Sequence, residues 1–290
     1  MQYHVDGDLV PADEATVSVR DRGFIYGDAA FETLRAYGGT VFEWGAHEAR
    51  LRRTCEALGF ADAVPDDLRD RVQATLDAND LADAYVRLSV TRGVQPGKLT
   101  PDPEVDPTVV VIVKELPRGG REGERVWDGP AVVQTVKTRR TPDAAVPAAA
   151  KTHNYLNGVR ARLELRQAAT DDYAADEAVI RSTDDHVTEG ATSNLFWVDG
   201  GVLKTPTTDL PVLPGVTRRV VLELARAEDF PVEEGRFPVT DLREADEAFV
   251  TNTTWEVRPV ASVDGMDKPT GPMTTLLQRL FDERVEAAHY

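Results

Sequence analysis

Residues 30–44 read AFETLRAYGGTVFEW. Aromatic and β-branched residues flank Gly38-Gly39, and two glycines between such runs predict a β-hairpin, because glycine supplies the positive φ that a two-residue turn needs. Downstream the period changes. From Ala46 to Leu58 an apolar face carries Leu51, Ala57 and Leu58 among arginines, and from Asp66 to Ala78 the residues Leu68, Val72, Ala74 and Leu76 recur at similar spacing. Two amphipathic helices therefore follow the hairpin. AYVRLSVTRG (84–93) and DPTVVVIVKEL (106–116) predict strands, the second so uniformly apolar that both its faces should be buried. These elements make up a first mixed α/β domain over residues 1–115.

The segment PRGGREGERVWDG is rich in Gly, Pro and charge, which predicts a linker over residues 116–130. A second α/β domain, 131–290, begins with the strand AVVQTV and the helix NYLNGVRARLELRQAA, whose Leu156, Val159, Leu163 and Leu165 are expected to point inward. The strand DEAVI, the hairpin NLFWVDGGVLKTP, the helix GVTRRVVLELARAE, the strands EAFVTN and RPVASV and a last helix MTTLLQRLFDERVEAA complete it.

With 50 acidic against 33 basic residues the net charge is -17, which repels nucleic acid and anionic membrane surfaces and excludes both as partners. The lysines are only Lys98, Lys114, Lys137, Lys151, Lys204 and Lys268, and arginine supplies the other basic charges. Such an acidic, lysine-poor surface resembles that of haloarchaeal proteins, although high-GC codon usage would also exchange lysine for arginine. Cys55 is the single cysteine, so no intrachain disulfide can form. The opening MQYHVDGDLV lacks the charge and apolar run of a secretory signal, and no window offers 18 uninterrupted apolar residues. A cytoplasmic setting is expected.

A lysine that works as a neutral amine needs partial desolvation, so it should emerge from apolar sequence. Lys151 follows PAAA directly, at the junction of an extended segment and a helix, whereas the other lysines sit in loops, at strand ends or beside arginines. Glu189 in VTEGATSNLFW could place a carboxylate beside a protonated ring nitrogen. LPGVT, residues 213–217, leads straight into a helix, and the amides of Gly215, Val216 and Thr217 suit a phosphate. In HEARLRR, residues 47–53, Arg50 offers a guanidinium for bidentate phosphate binding. Taken singly, each has an ordinary alternative as a surface lysine, a solvated glutamate, a turn before a helix or a solvated arginine face.

In this order the motifs resemble the class IV (fold type IV) pyridoxal phosphate (PLP) aminotransferases, a group that includes branched-chain aminotransferase, D-amino acid aminotransferase and aminodeoxychorismate lyase. The resemblance runs through RGFIYGDAAFETLRAY, HEARL, YVRLSVTRG, AAKTHNYLN, TEGATSNLFWV, LPGVTR and ADEAFVTNTTWEVRPV, almost the whole chain. It implies two α/β domains with the active site between them and a homodimer in which the partner's N-terminal loop edges that site. It further implies that Lys151 holds PLP as a Schiff base and then shuttles the substrate's Cα proton. Glu189 would pair with the pyridine nitrogen, supported by Asn194, while Leu213 packs against the ring and Tyr155 reaches the phenolic oxygen. Arg50, Gly215, Val216, Thr217, Thr253 and Thr254 would hold the phosphate.

The resemblance divides on substrate. Tyr26, Phe31 and Arg87 match positions lining the pocket of branched-chain enzymes, and NYLN is similar to their archaeal members, which implies an apolar L-amino donor with a 2-oxo acid such as 2-oxoglutarate as acceptor. Thr33 and Asn252 lean instead toward the lyase, which forms 4-aminobenzoate. The Arg and His that trap carboxylate in bacterial D-amino acid aminotransferases are missing, since Gly97, Lys98 and Leu99 stand in that neighbourhood. A non-enzymatic scaffold is disfavoured, because competent residues fill every cofactor position.

Overall fold

In the computed structural model, which describes residues 1–171 and 173–290, the chain groups into two units. The first comprises Met1–Glu124, Ala150–Asn154 and Val285–Tyr290, and the second Arg125–Ala149 and Tyr155–Arg284.

In the first unit the elements are β1 (Gln2–Val5), β2 (Asp8–Pro11), α1 (Arg22–Tyr26), β3 (Ala29–Tyr37), β4 (Thr40–Val41), α2 (Trp44–Ala57), α3 (Leu68–Asp77), β5 (Ala84–Thr91) and β6 (Val109–Glu115). Their strands form one sheet in the order β2-β1-β6-β5-β3-β4. The hairpin turns at Gly38 and Gly39, both at positive φ, as the sequence predicts. Antiparallel register sets Phe31 opposite Ser89 and Thr33 opposite Arg87, with Ile112 beyond Arg87. Successive side chains alternate between faces. Leu34, Ala36, Val86, Leu88, Val111 and Val113 therefore share one face and join Leu51, Cys55, Leu68, Val72 and Leu76 of the helices in the core. Phe31, Thr33, Arg87 and Ser89 point the other way. The expectation that β6 is buried on both faces is corrected here: Val109, Val111 and Val113 are buried, while Val110 and Ile112 are half-exposed on the Arg87 face. Cys55 is fully buried, and burial pushes its thiol up to about 12.

Two distant stretches complete this unit. Residues 151–153 run beside the start of β3: Phe31 N–H donates to the Lys151 carbonyl at 2.9 Å, His153 N–H donates to the Ala29 carbonyl at 2.9 Å, and Thr152 bridges Ala30. The last turn of the final helix lies on the hairpin, where the His289 ring stands 5.7 Å from those of both Tyr37 and Phe42. A Cβ on Gly38 would meet the His289 carbonyl oxygen at 2.1 Å. Both stretches belong to the region expected as the C-terminal domain, because residue order does not reveal which sheet edge a short segment will join. The Gly/Pro-rich stretch expected as a linker is divided at Glu124 and Arg125. Its second part is tied down, with Arg125 ion-paired to Glu256 and Asp282, each at 2.6 Å.

The second unit contains β7 (Ala131–Arg139), α4 (Leu156–Ala168), β8 (Glu177–Arg181), β9 (Val187–Glu189), β10 (Asn194–Asp199), β11 (Val202–Pro206), α5 (Val216–Ala227), β12 (Val232–Gly235), α6 (Val239–Glu244), β13 (Glu247–Asn252), β14 (Glu256–Val263), β15 (Met266–Asp267) and α7 (Pro272–His289). Its sheet runs β12-β11-β10-β13-β14-β7-β8-β9, with β15 added on β14. Val133, Val179, Leu195, Trp197, Val250 and Val260 form its core. One sequence expectation fails on α4. Ala161 and Leu165 are buried there with Val136 and Ile180, but Leu156, Val159 and Leu163 are 69%, 57% and 50% exposed. Apolar spacing marks a stripe on a helix without saying what covers it. Among the described residues no helix is long and apolar enough to cross a membrane.

Candidate active site

The first unit brings together Lys151, Phe31, Arg87 and Arg50. Lys151 is fixed through its backbone, its N–H donating to Thr54 Oγ1 at 3.0 Å and its carbonyl accepting from Phe31. Its Nζ lies 4.4 Å from the centre of the Phe31 ring, and the Arg87 guanidinium lies 4.0 Å from the same centre. Among the described residues, no carboxylate is in ion-pair range of Arg87. A half-buried guanidinium left without a carboxylate, beside an amine, is suited to an anionic ligand. The His153 ring meets Phe31 edge-on at 5.7 Å, and its Nε2 is 3.2 Å from Ser89 Oγ. Burial and the Arg87 charge push His153 down to about 4, so it is neutral near pH 7. Tyr26 ends α1 in the same unit, its ring 4.9 Å from the Arg22 guanidinium.

Arg50 is buried rather than part of a solvated arginine face. Its Nε donates to Glu32 Oε1 at 2.8 Å and its Nη2 to Glu32 Oε2 at 2.6 Å, while His47 Nδ1 is 2.8 Å from that second oxygen. Burial opposes ionisation of Glu32, yet Arg50 and His47 together hold its carboxyl at about 2. Burial also lowers His47, aided by the Arg50 and Lys151 charges and opposed by Glu32. Against an ionised carboxylate, Nδ1 of a neutral His47 has to be the donor. Neither Glu32 nor His47 was singled out from sequence. The available signal was parity, since Glu32 shares the face of β3 that carries the core residues Ala30 and Leu34, and His47, Arg50 and Thr54 share one face of α2.

In the second unit Glu189 ends β9. Its Oε2 accepts from Leu213 N–H at 2.8 Å, and its Oε1 is 2.8 Å from Arg140 Nε. Asn194 opens β10 and donates through Nδ2 to the Leu213 carbonyl at 2.9 Å, so one loop residue is held on both sides. That loop runs into α5, where Val216 and Thr217 form the buried first turn. A Cβ on Gly215 would lie 2.0 Å from Asn194 Oδ1. Gly215→Ala is thus expected to lower stability by roughly 1–3 kcal/mol, read from urea unfolding; an unchanged midpoint would show that the turn relaxes freely. Asn194 pairs with Thr251 in register, so the β13–β14 turn carrying Thr253 and Thr254 leaves the sheet at the end where Asn194 holds the loop. Asn252 Oδ1 accepts from Thr254 N–H at 3.0 Å and Trp255 N–H at 2.7 Å, which gives Asn252 the work of shaping that turn. Tyr155 stands at the start of α4, half-buried.

Two further residues in this unit went unnoticed in the sequence. Fully buried Glu177 accepts through Oε1 from Ala191 N–H at 3.1 Å and through Oε2 from Thr192 N–H at 3.0 Å and Thr192 Oγ1 at 2.6 Å, which fixes the loop after Glu189. Arg140 ends the basic run KTRR, residues 137–140, where nothing in the sequence sets it apart from Arg139. The donor set of the chain suits a phosphorylated pyridine: an amine on Lys151, the Arg50 guanidinium and a helix start approached by a glycine that a Cβ would block, with a carboxylate for a ring nitrogen.

Residues 29–263 match the family model of the class IV amino-transferases. The chain is 38% identical over 288 residues, 98% of its length and 96% of the other's, to a Methanocaldococcus jannaschii protein provisionally assigned as a branched-chain-amino-acid aminotransferase. It is 31% identical over 297 residues to a D-alanine aminotransferase of Listeria monocytogenes, covering 99% of this chain and 97% of that one. In structure it resembles the branched-chain aminotransferase of the archaeon Thermoproteus uzoniensis, solved with norvaline, at a TM-score of 0.88 and 28% identity over 99% of this chain and 95% of that one.

Proposed function

Because this chain belongs to the class IV aminotransferases and uses pyridoxal phosphate, we propose that it moves the amino group of a branched-chain L-amino acid to a 2-oxo acid such as 2-oxoglutarate. One observation carries the reading: the Lys151 amine and the Arg87 guanidinium flank one apolar ring, that of Phe31. A reactive amine, an anion receptor and an apolar wall are what an amino acid with an apolar side chain requires.

Bound PLP supplies an electron sink for the bond broken at the substrate's Cα. Lys151 would hold the cofactor through Nζ and would take and return the substrate's Cα proton. Glu189 would pair with the pyridine nitrogen and favour its protonated form, with Asn194 steadying the neighbouring loop and Leu213 available to pack on the ring. Tyr155 serves the phenolic oxygen. Arg50, the amides of Gly215, Val216 and Thr217 at the positive end of α5, and Thr253 and Thr254 hold the phosphate. Arg87 receives a substrate carboxylate, while Phe31 and Tyr26 line the side-chain pocket. The exposed stripe of Leu156, Val159 and Leu163 supports a homodimer, and the net charge of -17 supports a cytoplasmic enzyme of a salt-rich cell.

The test is a panel of valine, leucine, isoleucine and D-alanine as donors to 2-oxoglutarate with added PLP, beside an assay for 4-aminobenzoate from aminodeoxychorismate, in low and high salt. Transfer from the branched-chain L-donors is expected, with activity kept at high salt. Transfer from D-alanine alone, or 4-aminobenzoate without transfer, overturns the reading. Arg87→Ala is expected to raise the donor's KM on the order of tenfold to hundredfold with a smaller change in kcat; a fall in kcat at constant KM would remove Arg87 from substrate binding.

A further inference from the structure

Arg140 follows β7 and is attached to three elements of the second unit. Its Nε is 2.8 Å from Glu189 Oε1 and 3.2 Å from the Pro211 carbonyl, and its Nη1 donates to Asn157 Oδ1 on α4 at 3.2 Å. Asn157 in turn donates to the Arg139 carbonyl at 2.8 Å, which steadies the backbone that carries Arg140. Glu189 binds the Leu213 amide with its other oxygen. One guanidinium therefore grips both the carboxylate and the loop at 211–213 that the carboxylate also holds, and this loop continues into the first turn of α5. The Arg140 side chain is 20% exposed, so the pair is only lightly screened by water.

We infer that Arg140 is a positioning residue for the cofactor, which locks Glu189 to the 211–213 loop and offsets the charge that Glu189 presents to the pyridine nitrogen. The inference rests on the role of Glu189 in the proposed function. Glu189 shares its negative charge between Arg140 and the ring, so removing Arg140 leaves the cofactor in a more negative field. Protons then bind it more readily. Loss of the fork also frees the loop at Pro211, which weakens the approach to the phosphate turn.

The experiment compares wild type, Arg140→Lys and Arg140→Gln, each reconstituted with PLP, by two readouts besides activity: the rate of PLP loss on dialysis and the pH midpoint of the visible absorbance. Wild type binding PLP with a visible band that Lys151→Ala abolishes secures the underlying reading; a colourless wild type sinks that reading on its own. Given the band, Arg140→Gln is expected to lose PLP roughly tenfold to hundredfold faster and to show its midpoint at higher pH. Arg140→Lys keeps the charge without the fork, so its midpoint should stay near wild type while retention weakens. A wild-type midpoint and retention in Arg140→Gln would overturn the inference. So would an equal midpoint shift in both variants, because a purely structural residue would disturb the site without regard to charge. If Arg140→Gln does not fold, Arg140→Lys decides alone, and unchanged retention in it overturns the inference.

Discussion

Lys151→Ala is expected to abolish amino transfer, with a loss on the order of 10^3 to 10^4-fold or more, since acid–base work alone contributes about 10^2 to 10^4-fold and the covalent hold is removed as well. The fold holds residue 151 through its backbone. Its N–H binds Thr54 and its carbonyl binds Phe31, and alanine keeps both bonds. The variant should therefore melt near the wild-type temperature. Added PLP should bind it through the phosphate contacts without producing the visible band of a lysine-bound cofactor. Full transfer activity, or an unchanged visible band, would assign the covalent role to another of the six lysines.

Glu32→Gln should produce the largest change in stability. The carboxylate is 1% exposed and accepts three hydrogen bonds, two from Arg50 and one from His47. Glutamine turns one acceptor into a donor that faces a donor, and it leaves the buried guanidinium without its counter-ion. Breaking a buried pair from one side costs about 3–5 kcal/mol, so the urea midpoint should fall clearly and PLP retention should weaken as Arg50 loses its orientation. The pH dependence has a definite sign. With the folded carboxyl at about 2 against an ordinary 4.5, the ionised pair stabilises the fold fully above about pH 4.5 and loses this contribution as pH falls toward 2. Glu32→Gln should lack that part of the acid sensitivity. A variant as stable as wild type at pH 7, with the same acid profile, would show that the pair contributes nothing net.

Most of the secondary structure was legible because it is local. The β3–β4 hairpin declares itself through Gly38-Gly39, and α5 through its apolar face and the glycine before it. The motifs around Lys151, Glu189 and Gly215 were legible as chemistry. What sequence could not supply was pairing across distance. Glu32 looked like a polar residue on a strand, and only the packing of α2 on β3 makes it the partner of Arg50. Arg140 looked like one charge in a basic run, and only the fold sets it against Glu189. The stripe on α4 was misplaced for the converse reason, since hydrophobic spacing is the same whether a helix faces its own core or another surface.

The grouping of residues 150–154 and 285–290 with the first unit bears on the order in which the protein assembles during translation. The β3 edge beside Ala30 lacks its neighbour until Thr152 has been made, and the aromatic cluster on the hairpin waits for His289, after the whole second unit has been synthesised. Closing such distant contacts is slow. The unit that carries Lys151 thus gains its last contacts only after the second unit has been synthesised.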